Sequence, residues 1–189
     1  SDLDDYIETR LARFPSSASF LGDQRYYDRL ENTADAAFDA SREREQAAFL
    51  ARARAIDRAA LPAAEQLNYD LFAREYRQRL AVYPFKPWLY AINHQGGIQT
   101  LSETAEQLPF QTVRDYADWI ARLRDVGRYV DQNIELLRIA AREQRTQPRV
   151  IMERIPAQLA LQLVSEPDAS PFYAPFQRFP DAIPAAEQA

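Results

Sequence analysis

Hydrophobic positions recur every three or four residues over most of this chain, and nowhere do they alternate in the period-two manner of a strand. Leu3, Ile7, Leu11 and Phe14 predict a helix over residues 2–14. Asp2, Asp4 and Asp5 lie at its start, where the helix dipole favours negative charge. Pro15 ends it. Residues 14–34, with Gly22 and the pair Tyr26 and Tyr27, read as an irregular segment aromatic enough to pack on the body. Residues 41–58 predict a second helix built from strong helix formers. Phe49, Ala53 and Ile56 mark its buried stripe, and its interleaved Arg and Glu read as a solvated face. Pro62 suits the first turn of a third helix, whose stripe is Tyr69, Phe72, Tyr76, Leu80 and Tyr83. That stripe is aromatic rather than aliphatic, which fits core or interdomain packing better than a ligand-stacking ladder. Pro84 and Pro87 close the helix.

The second half repeats the pattern with a break near its middle. Thr112 followed by Asp115 resembles a capping box with Asp in the usual Glu place. Tyr116, Trp119, Ile120 and Leu123 carry the helix onward. Val126, Val130, Ile134, Leu137 and Ala141 give a further stripe to about residue 144. Gly127 is either a break or a tight packing point, so an antiparallel pair and one long kinked helix both stand. Pro148 opens another helical stretch to Val164, and Pro156 inside it predicts a kink or a split. From Pro167 on, five prolines preclude continuous helix, while Phe172, Tyr173, Phe176 and Phe179 predict a tail wrapped on the helices. The expected fold is all-α: an irregular multi-helix bundle over residues 1–166, then a Pro- and Phe-rich segment over 167–189. The closing PAAEQA reads as the start of a helix that continues into a further C-terminal region.

Composition narrows the chemistry. A hydrophobic fraction of 47% supports a real core in a chain of 189 residues. The net charge of -5 argues against a nucleic-acid partner. No run approaches the ~20 apolar residues of a transmembrane helix, so no membrane span is expected. With no cysteine and one histidine, the chain lacks the residues for a thiol nucleophile, a Cys metal site or a two-His zinc helix. No Walker loop, dinucleotide fingerprint or Gly-x-Ser-x-Gly elbow occurs. Glu103 and Glu106 share a helical spacing, which more commonly means a solvated face than a catalytic pair.

The least generic stretch is 84–112, which holds the sole histidine (His94), the sole lysine (Lys86), Trp88 and the Gly96-Gly97 pair. Its segment Asn93-His94-Gln95-Gly96-Gly97 reads as a polar loop in which the glycines permit unusual dihedrals or a close approach. His94 there either orders the loop or contacts substrate. Trp88, Asn93, His94, Gln95, Gly96 and Gly97 are accordingly the candidate cleft residues, with no catalytic or metal-binding residue in this chain.

Several segments in order resemble the bacterial domain-of-unknown-function 885 family: FPSSASFLGDQRYYDRL, LNYDLFAREYRQRL, FKPWLYAINHQGG, LPFQTVRDYADWIARLRDVGRYVDQNIELLR and SPFYAPFQRFP. The resemblance spans most of the chain. It implies a longer, largely helical bacterial protein, often exported or lipid-anchored, which favours a periplasmic or exported location; the start at Ser1 rather than Met fits a removed leader or tag. It also implies a C-terminal half with a His-Glu-x-x-Pro-Gly-His motif resembling the zinc site of gluzincin metallopeptidases. On that resemblance these 189 residues are an N-terminal noncatalytic portion. Their partners would be their own C-terminal half and a peptide-like substrate, and zinc would be a cofactor only of the missing region. A free-standing helical interaction module is the alternative, with the aromatic stripe as its partner surface.

Overall fold

Prolines set most of the element boundaries. In the computed structural model, which describes residues 2–32 and 36–188, helix α1 (Asp2–Arg13) gives way to α2 (Pro15–Phe20) at Pro15. Pro15 thus both stops one helix and starts the next, because its fixed φ suits a first turn where no donor is required. The segment read as irregular therefore opens with a short helix, followed by a 3-10 turn over Gln24–Tyr26. Pro62 caps α4 (Ala63–Val82), as expected, and Pro84 sits in the 3-10 turn Tyr83–Phe85 that follows it. Pro156 splits the later stretch into α6 (Arg149–Met152) and α7 (Ile155–Ala160), and the helix stops short of Val164. Among the described residues there are helices and 3-10 turns but no strand; one isolated bridge joins Asn93 and Gly96. The fold is all-α.

The chain divides into two compact units, Ser1–Arg10 with Ala34–Trp88, and Leu11–Thr33 with Leu89–Ala189. In the first, α3 (Ala36–Arg54) packs on α4. Phe49, Leu50, Ala73 and Tyr76 form its core, with Tyr6, Tyr69, Phe72 and Leu80 packed against them. Tyr6 meets Phe49, Phe72 and Tyr76 edge-on at 5.9, 5.8 and 5.4 Å between centroids. Such edge-to-face contacts place the positive ring edge on a negative face. Two expectations change here. Ile7 is exposed and its neighbour Tyr6 takes the inward position. Ile56 is exposed because α3 ends at Arg54, and Leu50 is buried in the stripe instead. Leu3 lies outside the residues whose side chains are described.

The second unit is organised by α5 (Val113–Arg142), a continuous thirty-residue helix. Its capping box forms as the sequence indicates: Thr112 Oγ1 accepts from Asp115 N at 3.3 Å, and Asp115 Oδ2 accepts from Thr112 N at 2.8 Å. Gly127 is neither a break nor a packing point, since the helix runs through it and a Cβ there would meet nothing within 4 Å. The antiparallel-pair reading falls. The helix ends without glycine: Gln144 adopts a left-handed φ of 56°, and Arg145 N donates to Ala140 O at 2.8 Å.

The buried face of α5 is also offset from the expected stripe. Tyr116, Trp119, Arg122, Asn133, Leu136 and Ala140 are buried, whereas Ile120 and Ile134 are exposed. Arg122 is 1% exposed. Its Nη2 donates to Ser19 Oγ at 2.6 Å and to Tyr26 O at 2.8 Å, while Nε and Nη1 have no partner. Burial holds its pKa below the usual guanidinium range, opposed by the nearby Glu31 and Asp28 charges. The Pro- and Phe-rich tail wraps on this unit. Trp119 Nε1 donates to Phe172 O at 3.1 Å, and Phe176 and Phe179 lie 5.7 and 4.9 Å from the Tyr116 ring. Tyr27, Leu108 and Trp119 form the cluster that receives Phe172 and Phe176.

Candidate functional site

Asn93 builds the loop that carries the histidine. Its backbone N donates to Gly96 O at 2.9 Å, and its side-chain Oδ1 accepts from Gln95 N at 2.8 Å and Gly96 N at 3.1 Å. An Asn side chain that mimics a turn carbonyl in this way closes the chain on itself. Gly97 follows at φ 140°, a region that L side chains rarely adopt. A Cβ there would lie 2.7 Å from Ile92 Cγ1 and 2.8 Å from Gln99 Oε1. The requirement for glycine therefore falls on Gly97, whereas a Cβ at Gly96 would meet nothing within 4 Å. Beyond Gly97 the chain enters a 3-10 helix, Ile98–Gln107.

Three glutamines fasten this turn to the segment around α7. Gln99 Nε2 donates to Asn93 O at 2.5 Å and to Gln158 Oε1 at 3.3 Å. Gln158 Nε2 donates to His94 O at 2.9 Å, and Gln162 Nε2 donates to Gln99 O at 3.0 Å. Every carboxamide NH2 in this network is used. Three buried polar atoms in it are not: His94 Nδ1, Gln99 Oε1 and Gln162 Oε1. Gln99 is 4% exposed, so its free oxygen sits where water is scarce. Leaving a buried acceptor unsatisfied costs about 1–3 kcal/mol, which marks these atoms as places where a partner is wanted.

Of the six sequence candidates, Asn93, His94, Gln95, Gly96 and Gly97 share this one turn, in the second unit. Gln95 is exposed and His94 half-buried. Trp88 belongs to the first unit, where its ring lies 5.4 Å from that of Tyr83. Glu103 and Glu106 are both exposed. Sequence reasoning missed Gln99, Gln158 and Gln162. A faint signal existed: Gln158 and Gln162 are four apart on a stretch of helical pattern, which puts them on one side. The described residues contain no group of three or more His, Cys, Asp or Glu side chains able to hold a metal ion, so a zinc ion finds no ligand set here. No described helix is long and apolar enough to cross a membrane.

A concavity lies within the first unit. It is an open groove of about 1000 Å³ whose walls include Tyr6, Ile56, Leu71, Phe72 and Tyr76, with Arg74 and Glu75 among its polar groups. Burial pushes the Tyr76 hydroxyl well above the usual tyrosine range, so that phenol remains protonated.

The sequence profile of one family, described as "Bacterial protein of unknown function (DUF885)", matches residues 15–189. The chain belongs to this family. No curated protein and no solved structure matches it significantly. The match takes in the Asn93 turn, the glutamine network and the tail, so the whole candidate site of this DUF885 chain lies inside the family region.

Proposed function

We propose that this chain is the noncatalytic, helical N-terminal portion of a zinc-dependent, peptidase-like hydrolase, and that it supplies one wall of the substrate cleft. The observation that carries the reading is the Asn93–Gly97 turn, which holds the sole histidine and is tied by hydrogen bonds to Gln99 and Gln158, within a chain of this family. A wall of this kind positions substrate and performs no bond-breaking step. In this reading His94 and the turn that carries it contact substrate, and residues outside these 189 hold the metal and activate water.

Two experiments test it in sequence. Reading the gene past the codon for Ala189 is expected to show an open frame encoding His-Glu-x-x-Pro-Gly-His; a stop codon at that point ends the peptidase reading. In the protein carrying that region, His94→Ala is expected to raise KM for a mixed peptide substrate by about tenfold, with a smaller effect on kcat. Unchanged kinetics in that variant removes the cleft role.

The groove in the first unit favours a second reading, an interaction module. Leu71, 54% exposed, lines the groove with Tyr69, Phe72 and Tyr76, and Leu67 on the same helix is 61% exposed. If added C-terminal polypeptide protects these two side chains from hydroxyl-radical labelling, the groove belongs to the longer protein itself. If it leaves them labelled, a separate partner is the better account.

A further inference from the structure

A recess of about 360 Å³ in the first unit is lined by Arg54, from the last turn of α3, and by Tyr69, Asp70, Ala73, Arg74 and Arg77 of α4. Residues 70, 73, 74 and 77 recur at helical spacing, which puts them on one flank of α4. The three arginines are exposed. Arg77 Nε donates to Ala73 O at 3.2 Å, and none of the three has a carboxylate partner among the described residues. Other arginines of the chain are mated, as Arg25 is with Asp23 and Arg79 with Glu75. The carboxylate of the recess is already matched: Asp70 accepts from Arg58 Nε at 2.8 Å on one oxygen and from Arg58 Nη2 at 2.7 Å on the other. The Arg58 guanidinium, and after it the Arg77 charge, hold that carboxyl below its usual range. A chain with a net charge of -5 thus gathers three unmatched guanidinium groups around one small space.

We propose that this recess binds the phosphate group of a phosphate ester, with Arg54, Arg74 and Arg77 as donors to its oxygens. Like charges around one space repel, and a guanidinium cannot relieve that by losing its proton, so an anion must. Its planar fork of N–H groups matches the oxygens of a phosphate or carboxylate two at a time. Phosphate fits the charge better, since it carries close to two negative charges at neutral pH where a carboxylate carries one. The space has the size of a small-ligand site, for which about 300–1,000 Å³ is usual. The site lies in the unit that does not hold the Asn93–Gly97 turn, so it and the cleft reading can fail independently.

Calorimetric titration of the 189-residue chain with inorganic phosphate and with phenyl phosphate, in chloride buffer of constant ionic strength, tests the proposal. The expected result is one saturable site per chain. Arg74→Gln and Arg77→Gln are each expected to weaken binding about tenfold, the loss of one charge-assisted hydrogen bond. Asp70→Asn is expected to tighten it, because a carboxylate leaves the recess and Arg58 is released. Arg138→Gln, an exposed arginine of α5, should change nothing. Circular dichroism checks that each variant is folded; Arg74 has no hydrogen bond or ion pair to lose, so Arg74→Gln carries the test if Arg77→Gln does not fold. Phosphatidylcholine vesicles with and without phosphatidic acid separate two sources of the group. Phosphate binding alone upholds the site for a soluble ester. Co-sedimentation with phosphatidic acid vesicles that Arg74→Gln abolishes upholds it for a lipid headgroup. No saturable binding of any of these probes, or binding that Arg74→Gln and Arg77→Gln leave unaltered, would overturn the proposal.

Discussion

The two units solve burial in opposite ways. In the first, the buried described side chains are Phe49, Leu50, Ala53, Ala73, Tyr76 and Tyr83, all apolar or aromatic. Among its charged contacts, the forked pairing of Arg58 with Asp70 lies at the surface. In the second, the interior also holds Ser19, Glu31, Gln99, Thr104, Asp115, Arg122 and Asn133. An apolar core specifies packing with little regard to direction, whereas a buried polar group demands a partner at a set distance and angle. The first unit is thus organised by area and the second by direction. The unit with directional demands is also the one that carries the unsatisfied atoms of the candidate site.

The largest effect tests what the units share. Tyr76→Ala and Trp119→Ala each empty a fully buried aromatic site and are expected to cost about 3–5 kcal/mol. Hydrogen exchange should show lost protection in α4 for the first and in α5 for the second. Equal loss in both helices from either change would mean that the units unfold as one and would break the comparison.

Arginine substitutions sharpen it. Arg122→Ala removes the donors to Ser19 and Tyr26 and leaves a cavity, with an expected loss of roughly 3 kcal/mol in urea unfolding. Arg122→Met is expected to recover part of that, because it fills the space without a desolvated charge. Arg58→Ala in the first unit should leave the unfolding midpoint where it is, since that pair is exposed.

Gly127→Ala is expected to stabilise α5 by about 0.5–1 kcal/mol, because a methyl group there meets nothing and helix propensity alone decides. A destabilised variant would show that α5 has a constraint at Gly127 which its surroundings do not reveal.

The smallest effect concerns acid. The Arg128 guanidinium bonded to Asp125 holds that carboxyl below its usual range. A folded pKa below the unfolded one gives stability that is full above the unfolded value and lost as pH falls through the folded value. Asp125→Asn should therefore lower stability at neutral pH by about 0.5 kcal/mol or less, leave it unchanged below the folded pKa, and so flatten the acid limb of a stability–pH curve. An unaltered acid limb would remove this pair from the ledger of the second unit.

The same contrast explains what could be read from the residues alone. The stripe from Tyr69 to Tyr83 was visible because apolar spacing is what packs α4, and the Thr112–Asp115 cap was visible because it is local. On α5 the pattern found Tyr116 and Trp119 but missed the polar part of the buried face: Arg122 and Asn133 look like solvent positions, yet both are buried. Their partners lie far off in sequence or on the backbone, as Ser19 and Tyr26 do for Arg122. At the candidate site, Asn93 to Gly97 stood out by composition. Gln99, Gln158 and Gln162 did not, since a glutamine's role depends on what folds against it, and the His94–Gln158 bond joins residues more than sixty positions apart.

The order in which the chain passes between the units matters during synthesis. The first unit has all its segments once Trp88 has left the ribosome. The second begins with Leu11–Thr33 but needs the chain from Leu89 onward. At bacterial elongation speeds, on the order of 5–20 residues per second, the next hundred or so residues take roughly 5–20 s to emerge. Throughout that interval Tyr27 and Leu30, buried in the finished fold, lack the surfaces that later cover them. The nascent 11–33 segment therefore waits longest for the surfaces that cover it, and slowing translation after Trp88 should lengthen that wait without touching the first unit.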